Sequence, residues 1–234
     1  MTKRSRLQTQ AETGGLDTVT EATYQALRAA ILALELRPGS PLPIRGLQQR
    51  FPYGPTPLRE ALARLAGEGL AELATQRGFR VAPLSSDDLA GIRIQCLQLE
   101  PPALRASVEA DDPAWRRRLE RAYAAFAPHE ARVGDARSVD AVWERLHRDF
   151  HLALLSGCGS ACLTARFSAL YEMMDRYRRA TLPNLGHVAH HSLGHEAIAT
   201  AALSGDAARA EALLREHLQE ASGQIAALFE ERPG

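Results

Sequence analysis

Residues 56–81 read TPLREALARLAGEGLAELATQRGFRV, a pattern that predicts one helix followed by a β-hairpin. Apolar residues recur at helical spacing and form the inner face of that helix: Leu58, Leu62 and Leu65. Two short stretches with β character follow, at 70–74 and 79–82, and the polar residues between them predict a hairpin turn. The segment therefore predicts an amphipathic helix next to a two-stranded ribbon.

The predicted limits of this helix come from its capping residues. Thr56 is placed as the N-cap, with Pro57 at the first helical position, where the missing N–H costs nothing. Gly69 is placed as the C-terminal cap.

Two further helices are predicted upstream, after residues 1–16, which are polar and lack periodicity and are expected to form a flexible arm. The first helix starts at Asp17, carries an apolar stripe and stops at 37–39; the stripe consists of Tyr24, Leu27, Ile31 and Leu34. The second is short and is marked by Ile44, Leu47 and Phe51. Three helices and a hairpin predict a winged helix-turn-helix domain over 17–82, whose third helix enters the DNA major groove.

The rest of the chain is predicted to be helical. Residues 83–88 form a linker, and 89–231 form an antiparallel bundle of about six helices, so the fold class is mainly α. The six helical segments lie near 87–109, 113–131, 137–156, 160–181, 187–204 and 206–230. Their short connections favour a bundle without strands.

Composition and charge narrow the function classes. The 234 residues are 45% hydrophobic and 24% charged, which is typical of a globular chain, and no apolar run is long enough for a membrane span. We therefore expect a cytoplasmic protein that does not act at a membrane. Residues 1–83 hold eleven basic against seven acidic residues, whereas the remainder is acidic by the same margin, as in a nucleic-acid reader joined to a sensing domain. Three cysteines argue against a disulfide framework.

The N-terminal motifs resemble the winged-helix domain of GntR-family bacterial transcription factors. The matching segments are LRPGSPL at 36–42, RGL at 45–47, TPLREALARLAGEGL at 56–70 and QRGFRV at 76–81. The helical remainder is similar to the FCD ligand-binding domain of the FadR subfamily. The resemblance implies a homodimeric regulator, most simply a repressor and not an enzyme, that binds double-stranded DNA at a palindromic operator.

Several residues of this domain are candidates for DNA contact. Arg59 lies in the first turn of the third helix, where a guanidinium can pair with a guanine, and Arg45 opens the second helix, where a cation can bind a phosphate. The resemblance implies contacts for these two residues and for the hairpin tip, and the full predicted set is Arg45, Thr56, Pro57, Arg59, Arg77 and Gly78. Gly54 and Pro55 stand where relatives commonly carry Ser or Thr followed by Arg, so a base-reading arginine is missing.

Four histidines form a candidate metal site in the bundle. His147 and His151 are four residues apart on one helix, while His195 and His217 lie on the predicted inner faces of the last two helices. From the residues alone, structural histidines are an equal alternative. A Cys2His2 zinc site that includes Cys158 and Cys162 is the less favoured alternative, because the two cysteines lie on either side of the break at 157–159 and need not share a helix face. The FCD resemblance favours the four-histidine set. His147 occupies the position of the family's aspartate, and Asp149 points to the opposite helix face, so we expect Zn or Ni as the divalent ion.

The resemblance also implies that a small carboxylate metabolite, an organic or sugar acid, binds near this metal. Cys96 stands where relatives usually carry an arginine, so the predicted effector-binding residues are Arg93, Arg176 and Arg179. Two other interpretations stay open at this point. The histidine-bound metal would activate water in a hydrolytic enzyme, and a bundle without an effector would serve only to dimerise an architectural DNA-binding protein.

Overall fold

The computed structural model describes residues 3–74, 78–133, 140–181 and 194–231, with side chains described from Thr18 onward and not for Val133. The chain divides into two compact units, Met1–Leu84 and Ser85–Gly234, and the division falls within the predicted linker segment. We call the first the winged-helix unit and the second the helical bundle.

The winged-helix unit combines three helices with a small antiparallel sheet in which β3 lies between β1 and β2. Its elements are α1 (Lys3–Leu32), β1 (Pro41–Leu42), α2 (Ile44–Arg50), α3 (Pro55–Gly67), β2 (Ala71–Ala74) and β3 (Gly78–Val81). The predicted apolar faces meet in one core, where Leu27, Ile31 and Leu58 are fully buried. The predicted three-helix and hairpin layout is thereby confirmed.

Helix α1 differs from the prediction at both ends. Its backbone is helical from Lys3, whereas residues 1–16 were expected to form a flexible arm. The segment is rich in good helix formers, and extending an existing helix needs no new nucleus. The helix ends at Leu32, before the predicted stop at 37–39, and Leu34 adopts a left-handed conformation with φ 58°.

Helix α3 begins earlier than predicted, at Pro55. Gly54 is its N-cap, and the Leu58 N–H donates to the Gly54 carbonyl, so the prediction of Thr56 as N-cap is wrong. The fixed φ of Pro55 suits the first helical position, which explains the shift. At the other end Gly69 has φ +74°, and the N–H groups of Gly69 and Leu70 donate to the carbonyls of Ala66 and Leu65. This pattern is a Schellman C-cap, as the position of Gly69 predicted.

Strand β1 was not predicted. It consists of Pro41 and Leu42 only, which pair with Arg80 and Phe79 of β3. Two residues are too few to show the alternation by which a strand is recognised in a sequence.

The helical bundle contains six described helices, one at each predicted segment, although 187–193 of the fifth predicted segment lie outside the described residues. They are α4 (Ser86–Glu109), α5 (Pro113–Val133), α6 (Ala141–Leu155), α7 (Ala161–Thr181), α8 (His195–Leu203) and α9 (Ala207–Glu230). Helix α4 packs along α9, and α5 packs along α6, where the buried Trp115 indole donates to the carbonyls of Ala153 and Leu154. Within the described part of the chain, no helix is long and apolar enough to span a membrane.

Candidate metal centre and DNA interface

Four histidines from three helices of the bundle meet at one point. His147, His151, His195 and His217 are all buried, and one possible ligand atom from each lies within 4.8 Å of the others. We call these residues the histidine cluster. The structure therefore brings together the complete predicted set.

Local structure explains why each imidazole points inward. His147 and His151 are one turn apart on the buried face of α6, next to Phe150 and Leu154. His195 is the first residue of α8, after Gly194, whose φ of +97° favours glycine. His217 lies between the buried Leu214 and Leu218 of α9.

The distance between two cluster nitrogens suits a common ion. The Nε2 atoms of His151 and His195 are 3.3 Å apart. Two imidazole nitrogens bound to one ion at about 2.0–2.1 Å and at the tetrahedral angle lie roughly 3.3 Å apart. The Nδ1 atoms of His147 and His151 are buried and have no hydrogen-bond partner among the described residues. The donor set therefore fits a transition metal that prefers imidazole, such as Zn or Ni.

The surroundings of His147 and His151 favour the neutral imidazole, which is the form that binds a metal. Burial lowers the pKa of His147 and His151 well below the usual value, and neighbouring histidines and Arg178 lower the pKa of both further. Aromatic rings close the site on one side: Phe126 packs edge-on against His195 with ring centroids 5.1 Å apart, and Trp143 stacks on His147 at 4.6 Å.

A buried carboxyl that the sequence analysis did not single out contacts the cluster. Oε1 of Glu130, on α5, forms a short hydrogen bond with Nδ1 of His195. Helix α5 contributes no cluster histidine, and Glu130 reaches the site because it lies one turn after Phe126 on the same face. The i, i+4 pairing of Phe126 and Glu130 was the available signal, but it depends on knowing which face of α5 is buried.

A second polar cluster lies next to the histidines. The Tyr171 ring packs against His151 at 5.3 Å, and its hydroxyl donates a short hydrogen bond to the fully buried Glu100. Burial raises the pKa of Glu100 to about 7, although hydrogen bonds from Tyr171 and Cys96 oppose the shift. Cys96, at the position where relatives usually have an arginine, is buried beside this carboxyl.

The arginines predicted to bind the effector are engaged in different ways. Arg93 donates to Ser222, and Arg179 forms an ion pair of 2.6 Å with the buried Glu144. Arg176 is buried, and burial lowers its pKa.

The arginine whose charge acts on the histidines is Arg178, which was missed. It lowers the pKa of His147 and His151, and its guanidinium lies 5.9 Å from the Trp143 ring centroid. It also pairs with the buried Asp175, which binds Arg148 on its other oxygen at 3.1 Å. Arg178 follows Tyr171 by two helical turns, and this spacing was the signal in the sequence.

The positions of Asp149 and of the two cysteines bear on the choice of ligand set. Asp149 is exposed, as its position opposite the cluster predicted. Cys162 is exposed and Cys158 half-buried, and the metal-compatible group found among the described residues contains neither of them. The Cys2His2 alternative is therefore not supported.

Arginines of the winged-helix unit fall into two groups. Arg28, Arg50, Arg64 and Arg80 each form an ion pair with a glutamate. Arg45 and Arg59 are exposed and have no acidic partner among the described residues, and Arg37 shares this property although it was not predicted. These cations remain available for phosphates or bases.

The other predicted DNA-contact residues are placed as follows. Thr56 is exposed in the first turn of α3, whereas Pro57 is buried on its inner face and is not available for contact. Gly78 begins β3 with an exposed backbone and φ +116°. Arg77 lies outside the described residues.

Comparisons with known proteins agree with both units. The family model "Bacterial regulatory proteins, gntR family" matches residues 19–81, and the FCD domain model matches residues 96–220. The HTH-type transcriptional regulator BphR of Paraburkholderia xenovorans is 38% identical over 85% of this chain and 82% of its own length. The HTH-type transcriptional repressor GlaR of Escherichia coli is 29% identical over 83% of this chain and 90% of its own.

Solved structures show the same fold at lower identity. A GntR transcriptional regulator from a Rhodococcus species has a TM-score of 0.71 at 22% identity, covering 89% of this chain and 97% of its own. Escherichia coli McbR/YncC has a TM-score of 0.69 at 20% identity, covering 91% and 98%. The matching families and relatives are regulators and not enzymes, so the hydrolase alternative is excluded. The chain belongs to the GntR family of bacterial transcriptional regulators and carries a C-terminal FCD domain.

Proposed function

We propose that this regulator acts in the cytoplasm as a homodimeric repressor whose operator affinity is controlled by a small carboxylate metabolite bound at a histidine-ligated metal. The observation that carries this proposal is the convergence of four buried imidazoles within 4.8 Å. Each of the four histidines can offer one nitrogen to the same ion, and the buried Nδ1 of His147 has no hydrogen-bond partner among the described residues. Repression is favoured by the relative GlaR, which is named a repressor.

The metal is proposed to be Zn or Ni. All four donors are imidazoles, so the site lacks the carboxylate that favours Mg or Mn. When bound, the ion would supply Lewis-acidic attraction for an oxygen of the effector, which would enter as a fifth ligand beside the four imidazoles. The chain's own residues hold the imidazoles in place and exclude water from the site through Phe126, Phe150 and Trp143.

Arg178 is proposed to bind the effector carboxylate together with the metal. Its positive charge lowers the pKa of His147 and His151, and it forms an ion pair with the buried Asp175. Asp175 also holds Arg148, so it keeps one cationic partner when Arg178 turns toward the effector. Arg93, Arg176 and Arg179 remain candidates for orienting the rest of the molecule.

DNA binding is proposed to use two copies of the winged-helix unit. A single winged helix reads few base pairs, so a dimer on a palindromic site is needed for selectivity in a genome. Arg59, Arg45, Thr56 and the wing at Arg77 and Gly78 are the proposed contacts. We expect selection from a random DNA library with the purified full chain to return a palindrome.

Effector control is tested by measuring coupling in both directions. Organic acids and sugar acids are screened by thermal shift, and the strongest hit is titrated with and without the selected operator. Coupling between two sites is typically about 5- to 150-fold, and it is reciprocal. The effector must therefore weaken operator binding by the same factor by which the operator weakens effector binding. Equal effector affinity in both titrations would contradict the proposed control.

A further inference from the structure

Glu130 is a buried carboxyl that none of the predicted functions uses. It lies on α5 with 8% of its surface exposed, and its neighbour on the same helix face, Phe126, packs against the rings of His147 and His195. Helix α5 therefore presents one apolar and one acidic side chain to the histidine cluster but no imidazole.

The hydrogen bond that Glu130 accepts from His195 fixes the orientation of this imidazole. With Nδ1–H of His195 donating to the carboxylate, the Nε2 lone pair is directed toward Nε2 of His151, 3.3 Å away. A carboxylate in this position selects the tautomer and makes the imidazole a more basic ligand. A metal-binding histidine almost always donates its other ring N–H to an acceptor of this kind.

The negative charge of Glu130 also bears on the charge balance of the metal site. Four neutral imidazoles leave the full charge of a divalent ion uncompensated in a buried site, which is unfavourable. Other buried carboxyls of the bundle are engaged elsewhere: Glu100 with Tyr171, and Glu144 and Asp175 with arginines. Glu130 contacts a cluster histidine directly.

We propose that Glu130 is the positioning residue of this metal site and supplies, through His195, the negative charge that an all-histidine ligand set lacks. The inference rests on the proposed metal site. It assigns to α5 the charge that the FCD pattern places at position 147, where this chain has histidine.

The test measures Zn²⁺ affinity of the tag-free full chain by competition with a chromophoric chelator. Glu130→Gln keeps a hydrogen-bond acceptor and removes the charge, and we expect it to weaken Zn²⁺ binding by about 10- to 100-fold. Glu144→Gln is the matched control, because it neutralises a buried carboxylate of the same bundle that binds an arginine instead. We expect this control to stay within roughly threefold of the unmodified protein.

A charge-rescue experiment separates compensation from simple packing. His147→Asp places a carboxylate among the ligands, and in this background Glu130→Gln should cost less than about threefold in Zn²⁺ affinity. Co²⁺ absorption spectra of each variant report whether the coordination geometry is kept, and melting of the metal-free proteins reports folding.

The outcomes distinguish this inference from the proposed function. An equal loss of affinity from Glu130→Gln in both backgrounds would overturn charge compensation, and an unchanged affinity in the single variant would overturn the role of Glu130 altogether. Neither of these two results would contradict the proposed metal site. Failure of the unmodified protein to bind Zn²⁺, Ni²⁺ or Co²⁺ would instead refute the metal site itself, and the inference with it.

Discussion

Arg45 and Arg59 of the winged-helix unit are exposed and have no acidic partner among the described residues, whereas the four histidines of the bundle are buried in contact with one another. The paired arginines of the first unit are held by glutamates, as Arg64 of α3 is by Glu21 of α1. A DNA contact needs an exposed side chain that is not already paired with another residue. A metal site of this kind needs side chains that are shielded from water. The two units therefore place their proposed functional residues in opposite environments.

The largest expected effect that separates the two units is on metal binding. His151→Ala removes an imidazole that contacts all three other cluster rings, so we expect at least about a 100-fold loss of Zn²⁺ affinity. The effector response should be lost, while operator binding without effector stays unchanged. Asp149→Ala, on the exposed face of the same helix, is the control and should behave like the unmodified protein. Loss of operator binding in His151→Ala would contradict the separation of the two sites.

A smaller effect is expected on the DNA side. Arg59→Ala should weaken operator binding by about 1–3 kcal/mol and relax sequence preference at one base position, measured by gel shift. Arg50→Ala is the matched control, since Arg50 is also exposed but forms an ion pair of 2.6 Å with Glu35. Equal effects of the two substitutions would show that only net charge matters and would remove Arg59 from the set of base contacts.

We expect the histidines of the helical bundle to make the stability of the metal-free protein depend on pH. Burial lowers the pKa of His147 and His151 below the ordinary value of 6.5, so the unfolded chain binds more protons than the folded chain below that pH. Stability of the metal-free protein is therefore complete above pH 6.5 and falls at lower pH, by up to about 1.4 kcal/mol per pH unit for each histidine.

Thermal melting in the presence of a chelator, from pH 7.5 downward, measures this slope. The His147→Phe variant should have a shallower slope, because one titrating group is gone. Identical slopes in the two proteins would assign the acid sensitivity to other groups. The winged-helix unit contains no histidine at all, so this dependence should not arise there.

The smallest expected effect concerns the end of α3 and is purely local. Gly69→Ala forces a Cβ into a left-handed conformation with φ +74° and should destabilise the winged-helix unit by about 1 kcal/mol. Gly67→Ala, two residues earlier in the helix, also meets open space but needs no unusual φ, and should be neutral or stabilising. Denaturant unfolding compares the two, and an equal response would contradict the Schellman cap as the cause. Neither substitution should change Zn²⁺ affinity.

The sequence was most informative where function follows local spacing. Gly69 predicted the cap of α3, and the row of His147 and His151 predicted one face of α6. Residues that reach a site through helix packing were missed, because nothing in the sequence specifies which face of α5 meets α8 or which face of α7 meets α6. Glu130 and Arg178 are the examples. Thr56 was misplaced because both Pro55 and Pro57 suit the first helical position, and the sequence does not show which of them takes it.

The central claim is that the histidine cluster holds a metal ion, and metal content tests it most directly. Elemental analysis of the full chain, purified without a histidine tag, is predicted to give close to one equivalent of a transition metal per chain. Chelation should remove the ion and lower the melting temperature, because the ion binds only the folded state. A protein with no bound transition metal and no thermal shift on addition of Zn²⁺ or Ni²⁺ would contradict the claim and leave the four imidazoles as packed structural residues.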